Sequence, residues 1–250
     1  MSLKFSFNED KFSLQKLNLP SRYYYFNDNE NYIKLLNIGE GIFPKDKIRN
    51  KFTLNNSSLI ITTESATKIY PSKKEFALNY IDIKLKKSSN LEFINDELIL
   101  YKDSKFIQIF RLDYDENSTF FYGDILSSGR SFENFDFCSM KIKNLFTLNK
   151  RSEYKERFDI SGDELKSYIQ RKQANSKLFA KMYIKLKDNE EFLKNLEKEG
   201  FFSFTYSKNK SMIIGVLSHS NMADLKRQLL FIWTLYRKSL NKNEFHLGKQ

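Results

Sequence analysis

Between Ile81 and Lys86 the chain alternates: Ile81, Ile83 and Leu85 are apolar, while Asp82, Lys84 and Lys86 are charged. A period of two puts the two sets on opposite faces of an extended strand, so this stretch reads as a strand with one buried face. Ile107 and Ile109, within FIQIFRL, extend the theme as inward residues of a second strand. The segments Thr119 to Leu126 (TFFYGDIL) and Asp136 to Leu145 (DFCSMKIKNL) are rich in β-branched and aromatic residues, which suit a pleated, half-buried surface. Asn55-Asn56 and Ser88-Ser89-Asn90 interrupt these runs as turns do. Strands this frequent and this closely spaced predict a β-rich body over residues 1–160.

Residues 161–240 change character and predict a mixed α and β portion. Asp188, three residues before Glu191, reads as a helix N-cap, with Leu193 and Leu196 facing inward and Gly200 as the stop. Two short strands follow, Phe201 to Tyr206 and Ser211 to Leu217. Met222, Leu225, Leu229, Ile232, Trp233, Tyr236 and Leu240 then recur mostly at spacings of three and four, one apolar stripe of a second helix. Ser220 or Asn221 caps its start, and Arg237 and Lys238 lie near its end, where the helix dipole favours cations. The polar stretch 241–250 reads as a flexible tail that a partner could order. With few glycines and prolines, no linker and no repeat of fixed period, residues 1–250 read as a single domain.

Charge and composition narrow the classes. Lys and Arg total 42 against 31 Asp and Glu, a formal net charge of +11. Nucleic acid, an anionic membrane or an acidic protein would all suit such a chain. The cations are scattered, however, and Asn, Ile and Phe are frequent along with Lys, which points to overall residue usage. The lone cysteine, Cys138, rules out an intrachain disulfide and fits a reducing compartment; within a β-like segment it reads as a small buried hydrophobe. The first residues, MSLKFSFNEDKFSLQK, lack the apolar core of a signal peptide, and no run approaches the roughly 20 apolar residues that span a bilayer. A soluble, cytoplasmic protein is expected.

Familiar catalytic signatures are missing. No phosphate-binding Gly-x4-Gly-Lys-Ser/Thr string, no GxGxxG and no GxSxG occurs. His219 and His246 do not form a spaced ligand set with Cys138, so no tight His/Cys metal site is expected; His219, between a strand and a helix, suits a surface or capping role. Carboxylates are plentiful, so a carboxylate-based hydrolase stays open. So does a basic all-β protein binding single-stranded nucleic acid, with Tyr23-Tyr24-Tyr25 or Phe120-Phe121-Tyr122 as stacking platforms.

An ordered set of motifs goes further. Ile60 to Tyr70 contains TTESATKIY, which resembles the TTQxATKxY segment of urease accessory proteins of the UreD (UreH) class and places Thr62, Thr63, Ala66, Lys68 and Tyr70. Leu91-Glu92-Phe93 is similar to the family's LE(Y/W)LP, with Asn95 where the proline stands. Leu98 to Tyr101 and Ser104 to Phe106 hold the places of the next apolar strand start. Gly129-Arg130 resembles the family's GR turn, with Glu133 nearby in place of its GE. Leu230-Phe231-Ile232-Trp233 with Arg237 resembles the LW-x-x-x-R ending. Gly39 to Asp46 stands where the family has GG-L-x-x-GD; Gly41 and Asp46 match, and Lys45 replaces the second glycine. The similarity runs from about residue 30 to 245.

The resemblance implies a mainly β fold, a layered, β-helix-like stack of strands with two helices in the C-terminal third. It implies a scaffold without catalytic residues that works with the accessory protein UreF, the GTPase UreG and the urease apoprotein, and it allows a homodimer of this chain within that complex. No membrane or nucleic-acid partner belongs to that scheme. No tightly bound cofactor is implied, only transient nickel(II) on its way to apo-urease. Weak, exchangeable oxygen ligands suit such transfer. Asp46, Glu92 and Glu133 are the candidates, with Lys68 placed to orient a neighbouring carboxylate.

Overall fold

The strand-forming stretches wind into two facing sheets. The computed structural model describes residues 1–37, 41–72, 74–172 and 176–248. Its strands are β1 (Ser2–Asn8), β2 (Lys11–Asn18), β3 (Ser21–Phe26), β4 (Tyr32–Asn37), β5 (Lys47–Asn55), β6 (Ser58–Thr63), β7 (Thr67–Ile69), β8 (Ala77–Lys86), β9 (Asn90–Leu100), β10 (Lys105–Tyr114), β11 (Thr119–Ser127), β12 (Ser139–Leu148) and β13 (Arg151–Ile160). There follow α1 (Gly162–Arg171), β14 (Leu178–Lys185), α2 (Asn189–Lys198), β15 (Phe204–Tyr206), β16 (Ile213–His219) and α3 (Met222–Ser239).

From β4 to β12 the chain passes back and forth between the sheets. β5, β8, β10 and β12 stack in parallel in the first sheet, and β4, β6, β9 and β11 in the second. Each pair of strands is one coil of a β-solenoid. Antiparallel neighbours finish the stack: β1–β2 and β12–β13 on the first sheet, β3–β4 and the β11–β14–β16–β15 series on the second.

Register turns the alternation of the sequence into rows. Phe5, Phe52, Ile83, Leu112 and Phe146 lie side by side across the first sheet. Ile33, Ile61, Phe93, Tyr122 and Tyr183 do the same across the second. All ten are buried in one core between the sheets, where Phe5 stacks on Phe52 at 4.2 Å and Phe110 on Tyr122 at 3.9 Å. Burying a side chain of this size contributes about 1.5–3 kcal/mol.

The second sheet buries its outer face as well. Tyr32, Ile60, Glu92, Phe121 and Ile184 form an outward row in register. Leu225, Leu229, Ile232, Trp233 and Tyr236 of α3 cover that side, with α2 packed beside them.

Both expected helices are present. The Asp188 carboxylate accepts from the Glu191 amide at 2.9 Å, and Asn221 Oδ1 accepts from the amides of Ala223 and Asp224. A third helix, α1, precedes them, opened by a capping box between Ser161 and Glu164. Its inward residues, Leu165 and Ile169, are too few to give a visible stripe.

Two expectations need correction. Ile107 and Ile109 are only half-buried; the inward face of β10 carries Phe106, Gln108, Phe110 and Leu112. The strand is apolar on both faces, so alternation alone cannot orient it. Cys138 is exposed, because it lies in the loop before β12 rather than in a strand.

The stretch 241–248, part of the tail that reads as flexible, lies against the body. Leu247 is buried and Lys242 enters a network described below. Among the described residues no helix is long and apolar enough to cross a membrane.

Candidate functional site

Partway along the interior the rows turn polar. Asn79 of β8 and Gln108 of β10 stand side by side in register, where neighbouring rows carry Ile81 with Phe110 and Ile83 with Leu112. Thr63, Asn95 and Asp124 face them from the second sheet. Together with Asn50 these residues line a cavity of about 50 Å³ between the sheets. A void of that size with several polar groups in its lining can hold water.

Asp124 is the centre of this patch. Its carboxylate accepts from Gln108 Nε2 at 3.0 Å, from Asn95 Nδ2 and from the Tyr122 hydroxyl. Gln108 Oε1 in turn accepts from Asn79 Nδ2 at 3.2 Å, while the buried Asn79 Oδ1 has no hydrogen-bond partner among the described residues. An ionised carboxylate in such surroundings is costly unless bonded. Burial pushes the Asp124 carboxyl above its ordinary pKa, against the hydrogen bonds from Tyr122, Asn95 and Gln108. Burial also drives the Tyr122 hydroxyl well above its usual range, with the neighbouring carboxylate adding to the effect. The site is thus one half-buried carboxylate held by three neutral donors, with the Asn79 carbonyl oxygen left without a partner among the described residues.

The polar character continues toward the far end of the stack. Tyr122 stacks on Tyr183 at 5.8 Å. The Tyr183 hydroxyl donates to Glu156, which also accepts from Asn144 Nδ2 at 3.1 Å and from Tyr154, and pairs with Lys181. The Glu156 side chain is 10% exposed, so this cluster lies just below the surface beside β13.

The residues singled out by sequence occupy other places. Glu92 lies under α3, fully buried, where its carboxylate accepts from Trp233 Nε1 at 2.7 Å, Arg237 Nη1 at 2.6 Å and Lys242 Nζ at 2.8 Å. Arg237 also pairs with Glu30 and donates to the Asn243 carbonyl. The LE and LW-x-x-x-R motifs, far apart in sequence, are therefore one ion network, which also holds the tail.

Glu133 is a loop hub. It accepts from the amides of Arg130 at 2.8 Å and Lys102 at 3.2 Å and from the Arg130 guanidinium at 2.9 Å. Burial would raise its pKa, but those Arg130 and Lys102 donors outweigh burial and hold it below the ordinary value. Gly129, at φ +123°, makes the hub possible: a Cβ there would lie 2.6 Å from that of Glu133. The Arg130 guanidinium sits 4.3 Å over the Tyr101 ring.

Asp46 closes a turn, accepting from the Phe43 amide at 3.0 Å. Lys45, in the place of a family glycine, has φ +71°, the left-handed region that favours glycine. Gly41 packs so tightly that a Cβ would meet the Lys68 carbonyl at 2.5 Å. Gly39 and Glu40 lie outside the described residues. Lys68 is half-buried on β7, and Tyr70 stacks on Phe43 at 4.4 Å. Thr62 Oγ1 donates to the Ile94 carbonyl at 2.7 Å and Thr63 Oγ1 accepts from the Asp96 amide at 2.8 Å, tying β6 to β9; Ala66 sits half-buried between β6 and β7, and Leu91 lies in the core.

Of these residues only Thr63 lines the cavity; Asp46, Lys68, Glu92 and Glu133 do not. Among the described residues no three His, Cys, Asp or Glu side chains gather as a metal cluster. Asp124 is not one of the residues the sequence singles out. Its signal was one acidic position inside the strand TFFYGDIL.

His219 Nδ1 accepts from the Asn221 amide at 3.0 Å, a local capping role at the start of α3. Phe120, Phe121 and Tyr122 are fully buried, so they cannot stack on bases.

Comparison with known proteins decides the family. The sequence profile described as UreD urease accessory protein matches residues 17–247. A urease accessory protein UreD of Aliarcobacter butzleri (strain RM4018) is 67% identical over 250 residues, covering 100% of both chains. The chain belongs to the UreD family of urease accessory proteins. More distant UreD proteins match in part: one from Bacillus sp. (strain TB-90) is 33% identical over 128 residues, 49% of this chain and 47% of its own length. One from Staphylococcus epidermidis (strain ATCC 12228 / FDA PCI 1200) is 34% identical over 104 residues, 41% of this chain and 37% of its own. The UreD motifs thus correspond to turns, strand ties and the α3 anchor, and the interior polar patch is a feature beside them.

Proposed function

We propose that this chain is a non-catalytic cytoplasmic scaffold for nickel insertion into apo-urease, acting in complex with UreF and UreG, and that nickel(II) crosses its interior by way of Asp124. The observation that carries this reading is a half-buried carboxylate among side-chain amides at a cavity of about 50 Å³ between the two sheets. A fold concerned only with stability would fill those positions with apolar side chains. One carboxylate with amide and hydroxyl neighbours holds a divalent ion weakly, as cargo to be passed on requires. Glu92 and Glu133 act through the shape of the molecule, because Arg237 with Lys242 and Arg130 neutralise their carboxylates, whereas the groups bonded to Asp124 are neutral. Asp46 and Lys68 stand at the β5 turn and on β7, available to a docked partner.

Co-expression tests the role. Urease genes with the other accessory genes, with and without this chain, should give urease that is nickel-loaded only when the chain is present. UreF should co-elute with the chain in size-exclusion chromatography. Equal nickel content and activity without the chain contradicts the proposal.

A further inference from the structure

The first sheet ends in an unusual edge. Among the described residues β2 pairs only with β1, so one side of its backbone has no strand partner. A register shift between Lys4 and Phe5 leaves Gln15 as the extra residue of a bulge. On either side of it, Phe12, Leu14 and Leu17 pair with Phe7, Phe5 and Leu3, whose side chains point into the core. Leu14 and Leu17 are nevertheless 42% and 41% exposed, because the stack ends there. Lys11 and Lys16 pair with the exposed Asn8 and Lys4 and point to the outer face.

The charge is of one sign. From Lys11 to Asn27 there is no Asp or Glu, and Lys11, Lys16 and Arg22 form no ion pair among the described residues. Lysines and bulges also serve to deter edge-to-edge association. The opposite edge strand differs in charge: β13 mixes both signs, with Arg157 and Asp159 paired to each other and Asp159 to Lys141. β2 repels a second copy of itself but not an anionic strand.

We propose that β2 is a docking edge for an extended segment of a partner protein in which acidic and apolar residues alternate, added as a further strand of the first sheet. Main-chain hydrogen bonds would hold it; its apolar face would cover Leu14 and Leu17, and its acidic face would meet Lys11 and Lys16.

The probe is a fluorescein-labelled synthetic peptide of alternating glutamate and valine, long enough to span β2. Anisotropy should rise saturably with the full chain. Lysine in place of glutamate should weaken binding by about tenfold or more, and added salt should weaken it as well. N-methylation of alternate amides should abolish binding on one edge of the peptide and leave it intact on the other. A Lys11→Glu, Lys16→Glu chain should prefer the lysine peptide. Slowed amide exchange confined to residues 11–18 of the unaltered chain is the second readout, independent of any variant's folding. Absence of saturable binding, exchange protection elsewhere, or insensitivity to N-methylation on both edges overturns the proposal.

Discussion

Asp124 is held at a cost. Because its folded pKa lies above that of an unfolded aspartate, its contribution to stability is fully present below the unfolded value and is lost as pH rises through the folded one. Wherever an unfolded aspartate is ionised, burial of Asp124 therefore burdens the fold. Asp124→Asn should match or exceed the parent chain in thermal unfolding at neutral pH, and its advantage should disappear as the buffer is acidified through the carboxylate range. An advantage that grows on acidification would mean the carboxylate is not strained. Glu92 is the opposite case, buried but matched by Arg237 and Lys242. Glu92→Ala leaves two cations short of their partner, and removal of one member of a buried pair costs about 3–5 kcal/mol. The urea midpoint should fall accordingly with the slope unchanged.

At the scale of elements, legibility followed local signals. α2 and α3 announce themselves through caps and stripes, since Asp188 and Asn221 satisfy amides within three residues. α1 has its capping box, Ser161 with Glu164, but too few inward residues for a stripe, and its first residue packs tightly on the loop before β12. Gly162 shows how close that packing is: an added Cβ would lie 1.7 Å from the Phe135 carbonyl oxygen. Gly162→Ala should destabilise by about 1–3 kcal/mol through overpacking. Native-state hydrogen exchange should locate the loss first in α1 and the adjoining 135–137 loop. β10 was readable as a strand but not in orientation, since Ile107 and Ile109 compete with Phe106 and Phe110 for the inner face.

The whole molecule shows why the site was harder to read than the fold. Each UreD motif is local, and its residues mostly bond within one turn or across neighbouring strands, as Thr62, Thr63 and Gly129 do. The cavity exists only where coils stack: Asn79, Asn95, Gln108 and Asp124 come from four strands, and no spacing in the chain joins them. Even the Glu92–Trp233–Arg237 unit could be named from resemblance but not connected, because 141 and 145 residues separate its members. A solenoid places such distant positions in one row, so a single half-buried acid can face an amide from the opposite sheet.

The most direct measurement is the nickel content of urease purified after co-expression with the Asp124→Asn chain, alongside co-purification of that chain with UreF. The account predicts an intact complex and nickel occupancy well below that obtained with the parent chain. Full occupancy with the variant would contradict passage through the interior of the fold.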